Sequence, residues 1–94
     1  MIKYLVEFIG TFIFLGVIFN AVQRKFVQWG TALSIGLALT VVILWGGGIS
    51  GGHYNPAVSL MFYLNKQLSR NDLIFYNLAQ LAGGVAAFQF SKMV

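Results

Sequence analysis

Charged residues cut this chain into apolar blocks, and each block has a length to set against a bilayer core of roughly 30 Å at 1.5 Å per helical residue. The first block, residues 4–22, is long enough to cross as a helix. Glu7 interrupts its apolar run and Phe19-Asn20-Ala21 is a poor small-x-small cleavage site, so it reads as a retained helix and not as a cleaved signal peptide. The last block, residues 73–91, lies between Asp72 and Lys92 and is also one span. Between them runs a stretch without formal charge, Phe26 to Asn65, of 40 residues. It is too long for one crossing, and it contains Gly46-Gly47-Gly48-Ile49-Ser50-Gly51-Gly52. Five glycines in seven residues oppose a helix, so the second span is expected over 26–46, ending near Trp45 or Gly46. Residues 54–65 then reach only about 18 Å as a helix and cannot cross. Asn55 followed by Pro56 is a helix start, with Asn as the cap and Pro in the first turn. The pattern therefore predicts an all-α membrane protein of one domain, with three transmembrane helices and a re-entrant loop and half-helix over 47–65.

Non-helical backbone at membrane depth must be buried in protein or line a water-filled cavity. The glycine-rich loop thus predicts a pore or a site. Carbonyls of Gly51, Gly52, His53 and Tyr54 would be free to accept hydrogen bonds from a permeant, and the half-helix would hold its positive dipole end near the midplane.

Composition narrows the chemistry. The chain has 94 residues, 59% of them hydrophobic and 9% charged, with a mean hydropathy of +0.81, against about 25% charge in a soluble domain. No cysteine is present, which excludes disulfides and thiolate metal sites, and Glu7, Asp72 and His53 are too few for hydrolytic chemistry. An enzyme, a cofactor and a metal centre are not expected. The basic residues Lys3, Arg24, Lys25, Lys66, Arg70 and Lys92 form no cluster able to track phosphates, so nucleic acid is not an expected partner. The lipid bilayer is.

The string Ser50-Gly51-Gly52-His53-Tyr54-Asn55-Pro56-Ala57-Val58-Ser59 resembles the first signature loop of the major intrinsic protein family, the aquaporins and glycerol facilitators. Glu7-Phe8-Ile9-Gly10-Thr11 resembles the family's first-helix Glu-x-x-Gly-Thr, and Ala79-Gln80-Leu81-Ala82-Gly83 its third-helix Ala-Gln-x-x-Gly. Three motifs in order cover essentially the whole chain. The resemblance implies half of a six-span inverted-repeat fold, the first repeat alone, and a passive channel for water or small neutral solutes such as glycerol. In that family two half-helices meet tip to tip at the midplane, and Asn55 would donate its amide hydrogens to the permeant. Pro56 and Ala57 would fix the helix start and the packing of the tips. Glu7 would brace the re-entrant loop, with Thr11 on the same face and Gln80 as an interhelical hydrogen-bonder. A proton-coupled role for Glu7 is the sharper alternative.

Other residues read as packing or anchoring. Small residues recur every four positions at Ala79, Gly83 and Ala87, and at Gly30, Ser34 and Ala38, as close helix crossings require. Trp29, Trp45, Tyr4 and Tyr76 sit near the predicted span ends, as interfacial anchors do.

A single repeat leaves a polar half-helix tip and free carbonyls without cover, at several kcal/mol per unsatisfied group. The expected partner is a second, inverted copy, giving an antiparallel homodimer and, gathered as the family's tetramer of pores, eight chains. Three spans put Lys3, Lys66 and Arg70 on one side and Arg24, Lys25 and Lys92 on the other. The even split gives no positive-inside bias, which dual topology needs. A separate chain carrying the second repeat, and a non-conducting or truncated fragment, are the alternatives. By family spacing the selectivity ring would take Ile35 from one copy and Ile43, Gly52 and Val58 from the other. Val58 stands where the family carries an arginine, and Ile35 where most water channels carry an aromatic. An apolar and wider ring is the consequence.

Overall fold

The computed structural model describes residues 1–24 and 27–94, and within them four helices: α1 Ile2–Gln23, α2 Gln28–Ser50, α3 Pro56–Leu64 and α4 Arg70–Met93. The expected start of the second span at Phe26, and Lys25 in the count of charges, lie outside the described residues. At 22, 23 and 24 residues, α1, α2 and α4 are each long and apolar enough to cross a bilayer. The nine residues of α3 reach only about 14 Å.

α1 and α4 run parallel. At one end Lys3 Nζ contacts Asp72 Oδ2 at 2.7 Å, and Tyr4 donates to Asp72 Oδ1 at 2.6 Å. At the other end Asn20 Nδ2 donates to Ser91 Oγ at 3.1 Å. Between these clasps the backbones approach closely at Gly83, where an added Cβ would stand 2.7 Å from the carbonyl oxygen of Phe8. Gly83 and Ala87 are buried there, and the edge-on pairs Phe12–Phe90 and Phe19–Phe88 flank the contact. α2 packs antiparallel on α1, bringing its last residue, Ser50, beside Glu7. Gly30, Ser34 and Ala38 on α2 are only half-buried within the chain. Among the described helices α3 packs on α4 alone. The arrangement is an all-α, three-span membrane protein with one half-crossing.

Two expectations need correction. α2 does not stop at Trp45 or Gly46: it continues through Gly46-Gly47-Gly48-Ile49 to Ser50 and ends on Gly51, whose φ of 92° is left-handed. A helical glycine costs about 1 kcal/mol relative to alanine, whereas each unpaired backbone group at membrane depth costs several. The second term wins, and the helix persists until the backbone finds other partners. Tyr76 is likewise no interfacial anchor. It is buried in the bundle and its hydroxyl donates to the carbonyl of Ser50 at 2.6 Å, closing the end of α2. Trp29 and Trp45 are exposed.

Candidate functional site at the re-entrant loop

The loop between α2 and α3 consists of residues 51–55, three of them with positive φ: Gly51 at 92°, Gly52 at 66° and Tyr54 at 53°. Only glycine adopts this region freely, so Tyr54 carries backbone strain of about 1–2 kcal/mol. Its side chain shows what holds it. The ring is buried between Gly10 of α1 and Gly46 of α2, where a Cβ on either glycine would overlap it, and its hydroxyl donates to the Val42 carbonyl at 2.6 Å.

The turn points successive backbone N–H groups at one carboxylate. Glu7 Oε1 accepts from Tyr54 N at 2.8 Å and from Gln80 Nε2 at 2.9 Å, while Oε2 accepts from His53 N at 3.0 Å and from Ser50 Oγ at 2.7 Å. Four donors fill the lone pairs of a fully buried carboxylate. The network continues outward, since Gln80 Nε2 also donates to Ser59 Oγ at 3.0 Å, and Ser59 Oγ meets His53 Nδ1 at 2.8 Å. The His53 ring stacks on Phe62 with centroids 4.9 Å apart. Thus α2, α4 and the loop bond Glu7 of α1 directly, and α3 joins the network through Ser59.

Thr11 stands apart from that network. It is buried on the same face as Glu7, but its Oγ1 has no hydrogen-bond partner among the described residues, and its Cβ packs against Gly83. Gln80 Oε1 is also without a hydrogen-bond partner among them. Sequence reasoning missed Ser50, Ser59, Gly10, Gly46 and Tyr76 as members of this site. The two serines lie inside the motif string, but nothing in a string reveals that they face the carboxylate.

Asn55 caps α3 through its side-chain oxygen, which accepts from Ala57 N at 2.8 Å, with Pro56 in the first turn. The side chain is exposed, and its Nδ2 hydrogens make no hydrogen bond among the described residues. The carbonyls of Gly51, Gly52, His53 and Tyr54 likewise accept none among them. Gln80, at the level of this loop, lies ten residues along α4 from Arg70, about 15 Å. That is half the roughly 30 Å thickness of a hydrocarbon core. Asn55 and Pro56 open onto a cleft of about 590 Å³ walled by Phe14, Leu15 and Ile18 of α1 and by Leu81, Gly84 and Val85 of α4.

Of the remaining positions, Ile43 adjoins Gly52, since a Cβ there would lie 3.5 Å from Ile43 Cγ1. Val58 is half-buried in the first turn of α3. Ile35 is half-buried on α2, 15 residues before Ser50, about 22 Å away along the helix. One chain therefore keeps Ile35 apart from the other three. Among the described residues no group of three His, Asp or Glu side chains converges as a metal site would need.

The sequence profile described as major intrinsic protein matches residues 1–94. The chain is 43% identical over 89 residues to glycerol uptake facilitator protein-like 6 of Lactiplantibacillus plantarum, covering 93% of this chain and 41% of that protein. It is 42% identical over 95 residues to aquaporin-8 of Mus musculus, covering 96% of this chain and 36% of the relative. With aquaporin NIP3-1 of Arabidopsis thaliana it shares 40% identity over 98 residues, covering 98% of this chain and 30% of the relative. The chain thus spans less than half the length of these relatives. With a family profile matched from end to end and three helices able to cross a bilayer, this multi-pass membrane protein belongs to the major intrinsic protein family.

Proposed function

We propose that this chain supplies one half of a passive channel for water and small neutral solutes, closed by a second copy inserted in the opposite orientation. The observation that carries the reading is the re-entrant tip. Asn55 Nδ2 and four successive carbonyls from Gly51 to Tyr54 have no partners among the described residues, and they lie about 15 Å deep on a frame clamped by Glu7. A permeant that both donates and accepts hydrogen bonds satisfies both sets at once. The N-terminal end of α3 carries a positive dipole potential, which opposes cations near the midplane. Pro56 and Ala57, exposed at the tip, offer a surface for the opposed tip.

In the antiparallel pair the constriction combines Ile35 of one copy with Ile43, Gly52 and Val58 of the other, and two-fold symmetry repeats it at both ends. No side chain in that ring is charged or aromatic. Ion exclusion then rests on the half-helix dipoles and on desolvation, and the pore admits glycerol-sized solutes or dissolved gases at least as readily as water. The even division of basic residues supports insertion in both orientations.

Reconstitution of the purified chain into liposomes under an osmotic shock tests this, with water and glycerol measured in turn. Flux of both above empty vesicles is the expected outcome. No flux of either defeats the channel reading. Flux that appears only when a separate second-repeat polypeptide is added replaces the homodimer with a heterodimer, and with it the ring assignment apart from Ile35.

A further inference from the structure

The side of α1 turned away from the Asn55 cleft carries a groove that the re-entrant site does not use. At the end of α1 remote from Lys3, a hollow of about 290 Å³ opens between α1 and α2, lined by Val17, Asn20, Ala21, Arg24 and Ser34. Val17 and Asn20 also wall a second hollow, of about 240 Å³, between α1 and α4, where Ile13, Gly16 and Phe90 join the lining. The two hollows share a wall and follow one side of α1. Gly16 leaves the second one deep, since an added Cβ there would meet only Ala87, at 3.8 Å, while Ile13 and Phe90 stand exposed at its rim. Arg24 lies eleven residues from Ile13, about 16 Å along the helix. That is about half of a hydrocarbon core of roughly 30 Å, so the groove has the depth of one leaflet.

At the surface end of the groove Arg24 is exposed and has no carboxylate partner among the described residues. The sequence has none to spare. Its two acids are Glu7, fully buried under four donors, and Asp72, held by Lys3 and Tyr4. A second copy, in either orientation, brings the same two occupied carboxylates. The anion that meets Arg24 therefore comes from outside these side chains, and at the surface of a bilayer the abundant anion is a lipid phosphate. We propose that the groove seats one anionic phospholipid, with its phosphate on the Arg24 guanidinium and one acyl chain along Val17, Gly16 and Ile13. A guanidinium fork matches two phosphate oxygens at once, and a cation at the membrane surface attracts headgroups of net negative charge. A zwitterionic lipid brings its own cation, which competes with Arg24 for the phosphate. Depth, apolar lining and the unmatched cation thus select the same occupant. The seat is complete within one chain and stands whether or not the antiparallel pair forms.

The test is lipid retention by the full chain. Protein reconstituted in bilayers of equal phosphatidylglycerol and phosphatidylcholine is extracted into mild detergent, and the lipids that stay bound are counted by mass spectrometry. Wild type is expected to retain phosphatidylglycerol in preference. Arg24→Gln should cut that preference about fivefold, the effect of one surface cation, whereas Arg70→Gln, at the opposite end of the bundle, should leave most of it. Gly16→Leu keeps every charge and fills the groove below Arg24, so it separates a seat from a general surface field and serves if Arg24→Gln fails to fold. It is expected to lose the bound phosphatidylglycerol as well. Equal retention of the two lipids by wild type overturns the proposal. So does an equal loss from Arg24→Gln and Arg70→Gln together with full retention by Gly16→Leu, which would reduce the effect to net charge.

Discussion

Glu7 is shielded from lipid and water alike, and its two oxygens take hydrogen bonds from the loop backbone, from α2 and from α4. Such a carboxylate is an internal tie: it satisfies the amides of His53 and Tyr54, which a five-residue turn cannot satisfy by itself. Glu7→Gln keeps the shape but sets an NH2 donor against two of the four existing donors. Each buried donor left unpaired costs about 1–3 kcal/mol, so the variant is expected to lower the unfolding temperature in detergent markedly. Thermal melts of purified wild type and variant measure it. The same residue separates a brace from a coupling group. Wild-type flux is expected to be unchanged by an imposed proton gradient, and a gradient-driven uptake would instead make Glu7 a proton carrier.

At the scale of elements, the helices that cross were legible from the spacing of charges alone, because a bilayer measures apolar length directly. The start of α3 was equally legible, since the cap at Asn55 and the first-turn proline act within three residues of chain. The end of α2 was not. Glycine propensity belongs to water: at membrane depth the cost of unpaired backbone keeps Gly46 helical, and the Tyr54 hydroxyl and a Val6 methyl occupy the space a side chain there would need. Tyr76 was misplaced for a related reason: distance along the chain from a span end says nothing about which face it occupies, and its face points to the Ser50 carbonyl. The glycines can be told apart by substitution. Gly10→Ala places a methyl inside the Tyr54 ring, and overpacking of this kind costs about 1–3 kcal/mol. Gly48 is helical with nothing within 4 Å of an added Cβ, so Gly48→Ala is expected to be neutral or to stabilise by up to about 1 kcal/mol. Melts in detergent should rank Gly48→Ala at or above wild type and Gly10→Ala below it; the reverse order would mean that Gly46 to Ser50 is not helical.

For the whole molecule the decisive quantity is the sign of the charge difference between its two ends. Parallel α1 and α4 put Lys3, Lys66 and Arg70 at one end of the bundle and Arg24 and Lys92 at the other, where Lys25 is expected as well. A count of three against three leaves orientation open, and only a mixed population can supply the antiparallel pair. The balance can be tipped at exposed positions away from the Glu7 network. Gln67→Lys with Asn71→Lys makes the first end more basic, while Gln23→Lys with Gln28→Lys does the same for the second. Each doubly substituted chain should insert in one orientation, opposite for the two, as a C-terminal topology reporter would register. Each alone is then expected to give osmotic flux no higher than empty membranes. Co-expressed, the two supply opposite halves, and flux should return towards the wild-type level. A single fixed-orientation form that conducts as well as wild type would show that the pore needs no inverted copy of this chain.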